Sequence, residues 1–186
     1  MPASPVTTSP RDFAVLLPPG WVRIPLDGSE NARMAAVVAA KAAEVPEPQR
    51  SQVRQRLLQV LNDILRHAKS TGGIDVLVSL GEVRGVPIPA SCLVSYLDRG
   101  KKVPLDGLRA ELAAGDDEVT WAEIAGSPAI RRQRTEGAVT SVDFFAPVPG
   151  RPGLLSLSFG TAAAEPLAGA LLSLFDAVAE SLRWQS

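Results

Sequence analysis

His67 is the only histidine in the chain. Asp63 stands four residues before it, one helical turn away, so on a helix the carboxylate neighbours the imidazole and could orient it as a general base. A base needs a group to deprotonate. The chain has no Gly-x-Ser-x-Gly elbow, and no Ser or Cys is tied to His67 by local spacing. The two residues therefore read first as an exposed i,i+4 pair. Cys92, the single cysteine, lies between Ser91 and Leu93 in an apolar stretch. A reactive thiol sits in a partly exposed, electropositive setting, so Cys92 is expected to be a small buried hydrophobe.

Other chemistries find little support. One His and one Cys are too few for most nitrogen and sulfur metal sites. Asp116-Asp117-Glu118 offers oxygens, but a short acidic run is ordinarily a solvated loop. The glycine clusters at 81–85 and 150–153 lack the spacing of phosphate-binding loops. No catalytic residue, metal or cofactor is expected.

Two groups remain as candidate partner-binding residues. Arg131, Arg132 and Arg134, with Gln133, form the sharpest basic patch. On a strand Arg131 faces one side and Arg132 and Arg134 the other. The preferred reading is an edge strand whose charges discourage edge-to-edge pairing, with an anionic partner second. Phe145 and Trp184 are the second group. Val142, Phe144 and Ala146 alternate as a core face, which turns Phe145 outward beside Asp143, and Trp184 falls off the apolar arc of the last helix. Exposed aromatics anchor protein interfaces. The alternative is that a helix on the second face of the sheet covers Phe145.

The elements that must position these residues follow from periodicity. Phe13–Leu17 and Val22–Leu26 read as strands joined in a hairpin by Pro18-Pro19-Gly20. Asn31–Glu44 reads as an Ala-rich helix, opened by Asp27 and Glu30 and ended by Pro46 and Pro48. Gln49–Lys69 is the clearest helix: Val53, Leu57, Val60, Leu61, Ile64, Leu65 and Ala68 share one arc. Ile74–Leu80 and Ser91–Leu97 are strands, the second apolar on both faces and hence interior. Leu105–Ala114 is a short helix. Val119–Ala125, Ala129–Thr135, Ala138–Ala146 and Leu154–Phe159 form an antiparallel meander. A final helix runs from about Glu165 to Arg183. Strands with helices at both ends predict α+β: an antiparallel sheet of seven or eight strands flanked by helices as an αβα sandwich. Residues 1–12, with Pro2, Pro5 and Pro10, are expected to be a disordered tail, and 13–186 a single domain.

The 186 residues include 46% hydrophobic and 21% charged side chains, within the range of globular proteins with a real core. Nineteen basic residues against twenty acidic give a net charge of −1, which provides no electrostatic footprint for nucleic acid. The Arg excess over Lys matches codon bias in a GC-rich genome. The longest apolar run, Met34–Ala40, is too short for the roughly 20 residues that a bilayer requires. No secretion signal is read at the N-terminus, and a lone cysteine forms no internal disulfide, so the expected location is the cytoplasm, without membrane insertion.

Two segments resemble PsbP-like proteins: the Pro/Gly turn and Trp of Leu16–Leu26, and the strand and helix of Gly153–Trp184, which close in Ser181-Leu-Arg-Trp184. The resemblance implies an αβα sandwich. It also implies a mostly non-catalytic role, since members of known function include a Ran-binding factor, a photosystem extrinsic subunit and secretion-effector chaperones. The chain also resembles small bacterial proteins encoded near type VII secretion genes. The reading that results is a non-catalytic module that binds another protein, an adaptor or chaperone. A small-molecule or lipid-binding domain, with its pocket between the sheet and the long helix, is the alternative, and an Asp63–His67 enzyme comes third.

Overall fold

A computed structural model describes residues 12–83 and 85–185. All but the last residue of the expected tail lies outside them. The main sheet is antiparallel and has seven strands. In chain order they are β2 (Trp21–Pro25), β3 (Gly73–Ser79), β6 (Ala90–Asp98), β7 (Glu118–Ile124), β8 (Ser127–Glu136), β9 (Val139–Pro147) and β10 (Gly153–Thr161). Across the sheet the order is β2-β3-β6-β10-β9-β8-β7. Two short ribbons complete the β-structure: β1 (Phe13–Ala14) with β11 (Arg183–Trp184), and β4 (Glu82–Val83) with β5 (Val86–Pro87). The helices are α1 (Glu30–Ala43), α2 (Glu47–Ser70), α3 (Leu105–Leu112) and α4 (Leu167–Glu180).

The alternation of β10 shows how the sheet is covered. Leu155, Leu157 and Phe159 point to one face and Leu154, Ser156 and Ser158 to the other. The first face meets α4, whose Leu171, Phe175 and Val178 are buried against it. Phe175 stacks on Phe159 with ring centroids 4.9 Å apart and meets Trp21 edge-on at 6.4 Å. Each such side chain stabilises by about 1.5–3 kcal/mol when fully buried. One apolar cluster runs under α4 on this face.

The second face carries two separate helical layers. Met34 and Val38 of α1 and Leu61, Leu65 and Ala68 of α2 pack on Ile24, Val76 and Val78. At the far end, Leu108 of α3 packs on Ile130, Phe145 and Leu154. The helices α1 and α2 form an antiparallel hairpin because Pro46 stops one and Pro48 opens the next. Lys69, near the end of α2, pairs with Glu30 at the start of α1. That hydrogen bond, reinforced by backbone N–H groups including that of Gly28, holds the Glu30 carboxyl below the usual carboxylate range.

Several sequence expectations need correcting. The opening hairpin does not form. The turn is present, with Trp21 N–H donating to Pro18 O at 3.1 Å, but β1 pairs with β11 and β2 with β3. Strand β8 is not an edge, since it lies between β9 and β7. Phe145 follows the covered alternative and is not an exposed anchor: it is 8% accessible, under α3. The last helix ends at Glu180, so Trp184 lies on β11, half-buried against the α4-face core. Phe145 and Trp184 therefore sit on opposite faces and cannot form one anchor.

Candidate binding groove

Strand register brings together residues that are far apart in sequence. On the second face Val78 pairs with Ser91, Ser91 with Gly160, Gly160 with Ser141, and Ser141 with Arg134. These five residues make a row across five strands. The next row runs Val76, Leu93, Ser158, Asp143, Arg132. Both rows are apolar under α2 and become polar toward β8. Ser91, Gly160 and Ser141 of the first row and Val76, Leu93, Ser158 and Asp143 of the second form the floor of an open groove of about 540 Å³. Asp63, Ile64, His67 and Ala68 of α2 supply one wall, and Arg134 lies opposite.

Two glycines facing the α2 side differ in what lies above them. A Cβ on Gly73 would meet Leu93 Cδ1 at 2.6 Å and the Ala68 carbonyl at 2.8 Å, so that glycine lets α2 sit close to the sheet. A Cβ on Gly160 would meet nothing within 4 Å. No close approach within the fold therefore explains glycine at 160, in a strand interior where it weakens the strand and often marks close approach by a ligand.

The charged residues are unequally engaged. Arg132 donates from Nη2 to Asp143 Oδ2 at 2.5 Å and from Nε at 3.0 Å, and its guanidinium lies 5.7 Å from the Phe145 ring centre. Asp143 is 2% exposed, so this pair is a buried structural unit. Arg131 reaches the other face, where it donates to Asp176 of α4 at 2.7 Å and to Gln133 at 2.9 Å. Arg134 is held least: its nearest carboxylate is Glu136 at 3.8 Å, and its guanidinium makes no hydrogen bond among the described residues. Of the three arginines expected to face a partner, Arg134 alone lines the groove.

The expected Asp63–His67 pair is not made, because Asp63 accepts from Arg66 at 3.1 Å. His67 is exposed, and its carbonyl accepts from the Ser70 and Thr71 hydroxyls. Among the described residues no bond joins its imidazole to a hydroxyl. Cys92 points into the α4-face core, where burial pushes its thiol well up, assisted by the Asp143 charge. It is therefore an un-ionised, shielded group. Among the described residues no three His, Cys, Asp or Glu side chains gather as a metal site. No helix there is long and apolar enough to cross a membrane.

Sequence reading alone missed Ser91, Ser141, Asp143, Ser158 and Gly160. A signal existed: Ser156 and Ser158 alternate with Leu155, Leu157 and Phe159, placing hydroxyls where a fully covered strand would be apolar. No protein-family model and no curated protein matches the chain.

Proposed function

We propose that the chain is a non-catalytic protein-binding module, an adaptor or chaperone, that holds an extended segment of its partner in the groove over Ser91, Ser141, Ser158 and Gly160. The open space above Gly160 carries this reading: it lets a second backbone come down onto the central strands. The serine hydroxyls supply donors and acceptors for that backbone. Arg134 supplies a fork for a carboxylate, so the bound segment carries an acidic side chain at that end. The unassisted imidazole of His67 supports a non-catalytic role, as does the resemblance to PsbP-like proteins. A free, buried thiol agrees with the reducing cytoplasm as the compartment.

A small polar carboxylate is the second reading, because about 540 Å³ falls among ordinary ligand pockets of about 300–1,000 Å³. Gly160→Leu tests both readings, since its side chain enters empty space. The expected result is an unchanged melting temperature with loss of the protein captured from the native host by the wild-type chain. Capture that survives Gly160→Leu places the partner elsewhere. A small bound mass in the native mass spectrum, absent from Gly160→Leu, selects the second reading.

A further inference from the structure

The groove leaves the edges of the sheet out of account, and the two edges differ. Strand β2 has five residues and ends in Pro25, which cannot donate to a ladder. Strand β7 has seven residues, pairs with β8 along its whole length without a bulge, and contains no proline and no Lys or Arg. Among the described residues its outer side pairs with no other strand. Trp121, at its centre, is 45% exposed. Proteins ordinarily blunt an edge of this kind with charge, proline or a bulge.

The hairpin turn shows which amides are free. Ala125 and Gly126 have φ of 53° and 72°, as a two-residue type I′ turn requires. Such a turn closes on a hydrogen-bonded pair, here Ile124 with Ser127. Bonded residues alternate along the ladder, so Ile124, Ala122, Thr120 and Glu118 face β8. Val119, Trp121 and Glu123 then present unpaired N–H and C=O groups outward.

We propose that β7 pairs antiparallel with β7 of a second copy of this chain, about a two-fold axis at Trp121. The register is self-complementary. Trp121 faces Trp121, and Val119 faces Glu123 of the other copy, so outward amides meet outward amides along the whole strand. Glu118 falls opposite Ile124, and no carboxylate opposes another. Shifting the centre by one residue, to Thr120, sets Asp117 against Glu123 and shortens the overlap. A centre between Thr120 and Trp121 sets Glu118 against Glu123 and mismatches the amides. Charge supports the same register. The Arg109 guanidinium of α3 lies 5.6 Å from the Trp121 ring centre, and neither Arg109 nor Glu123 has an ion-pair partner among the described residues. Glu123 of the second copy falls on the diagonal from Trp121, on the face that Arg109 covers. Paired in this way, two seven-stranded sheets become one continuous sheet.

Sedimentation of the full chain over a concentration series tests the pairing. The wild type is expected to dimerise reversibly. Trp121→Lys, which sets like charges face to face at the axis, should weaken dimerisation at least about tenfold and leave the melting temperature of the monomer unchanged. Glu123→Arg should also weaken it, and the exchange Arg109→Glu with Glu123→Arg should restore it. A wild type that stays monomeric up to its solubility limit overturns the proposal. So does a dimer that survives Trp121→Lys, or a double exchange no better than Glu123→Arg alone.

Discussion

The two faces of the central sheet are built from the same strands and end differently. On one, α4 lays Leu171, Phe175 and Val178 over Leu155, Leu157 and Phe159, and the contact between these residues is apolar. On the other, α2 and α3 each cover part of the sheet, and the uncovered strip has serine, glycine and an ion pair where the first face has leucine and phenylalanine. A sheet face becomes a site where its helical cover is interrupted. The residues in the gap are then free of the requirement to be apolar.

The largest test of this contrast compares two phenylalanines. Phe175 is fully buried and contacts two other aromatic rings, so Phe175→Ala should destabilise by about 5 kcal/mol. Phe145 belongs to the smaller cluster under α3, so Phe145→Ala should destabilise by about 3 kcal/mol. Denaturant titration measures both. A Phe145→Ala protein as stable as wild type would show that α3 does not seal its end of the second face. Next comes the ion pair beside the groove. Asp143→Ala leaves the Arg132 guanidinium mostly buried with Asp117 at 3.8 Å as its remaining acid, and should destabilise by about 3 kcal/mol. A loss under about 1 kcal/mol would show the pair to be as wet as a surface bridge.

A smaller effect concerns the α1–α2 hairpin. Because Lys69 lowers the Glu30 pKa in the folded chain, the pair stabilises above the ordinary carboxylate range and loses that contribution as pH falls through the lowered value. Melting temperature should decline on acidification, and Lys69→Met should flatten that decline. An acid limb of equal steepness in both proteins would assign it to other carboxylates. The smallest effect is expected at the groove wall, where His67→Ala should change stability by less than about 1 kcal/mol because the imidazole is exposed and unbonded. A larger loss would give His67 a structural role in the wall.

What the sequence made legible was local. Helical spacing located α2 and α4 to within a few residues, and the Gly and Pro breaks located the meander β7 to β10. Alternation correctly separated Arg131 from Arg132 and Arg134. It assigned side chains to faces but not cover to those faces, which is why an exposed Phe145 and one under a helix were both compatible with it; α3 lies over it. The Pro18-Pro19-Gly20 turn implied a hairpin, but the partners of β1 and β2 are set by the sheet: β11 and β3 lie far along the chain. The groove was hidden for the same reason. Ser91, Arg134, Ser141 and Gly160 converge through the register of four strands, and no local window contains that register.

The ribbon of β1 and β11 has a topological consequence. Phe13 lies beside Trp184, and Leu16 N–H donates to Ser181 Oγ at 2.9 Å, so the first and last described elements are neighbours. Among the described residues the path nearly closes, with Gln185 N–H donating to Asp12 O at 2.8 Å. A short linker joining Asp12 to Gln185, with a new opening at the exposed turn around Gly100, would give a circular permutant in which every ladder of the seven-stranded sheet stays intact. Because the ribbon packs with the α4-face core, a surface tether attached at Asp12 or Gln185 would leave the groove facing solution.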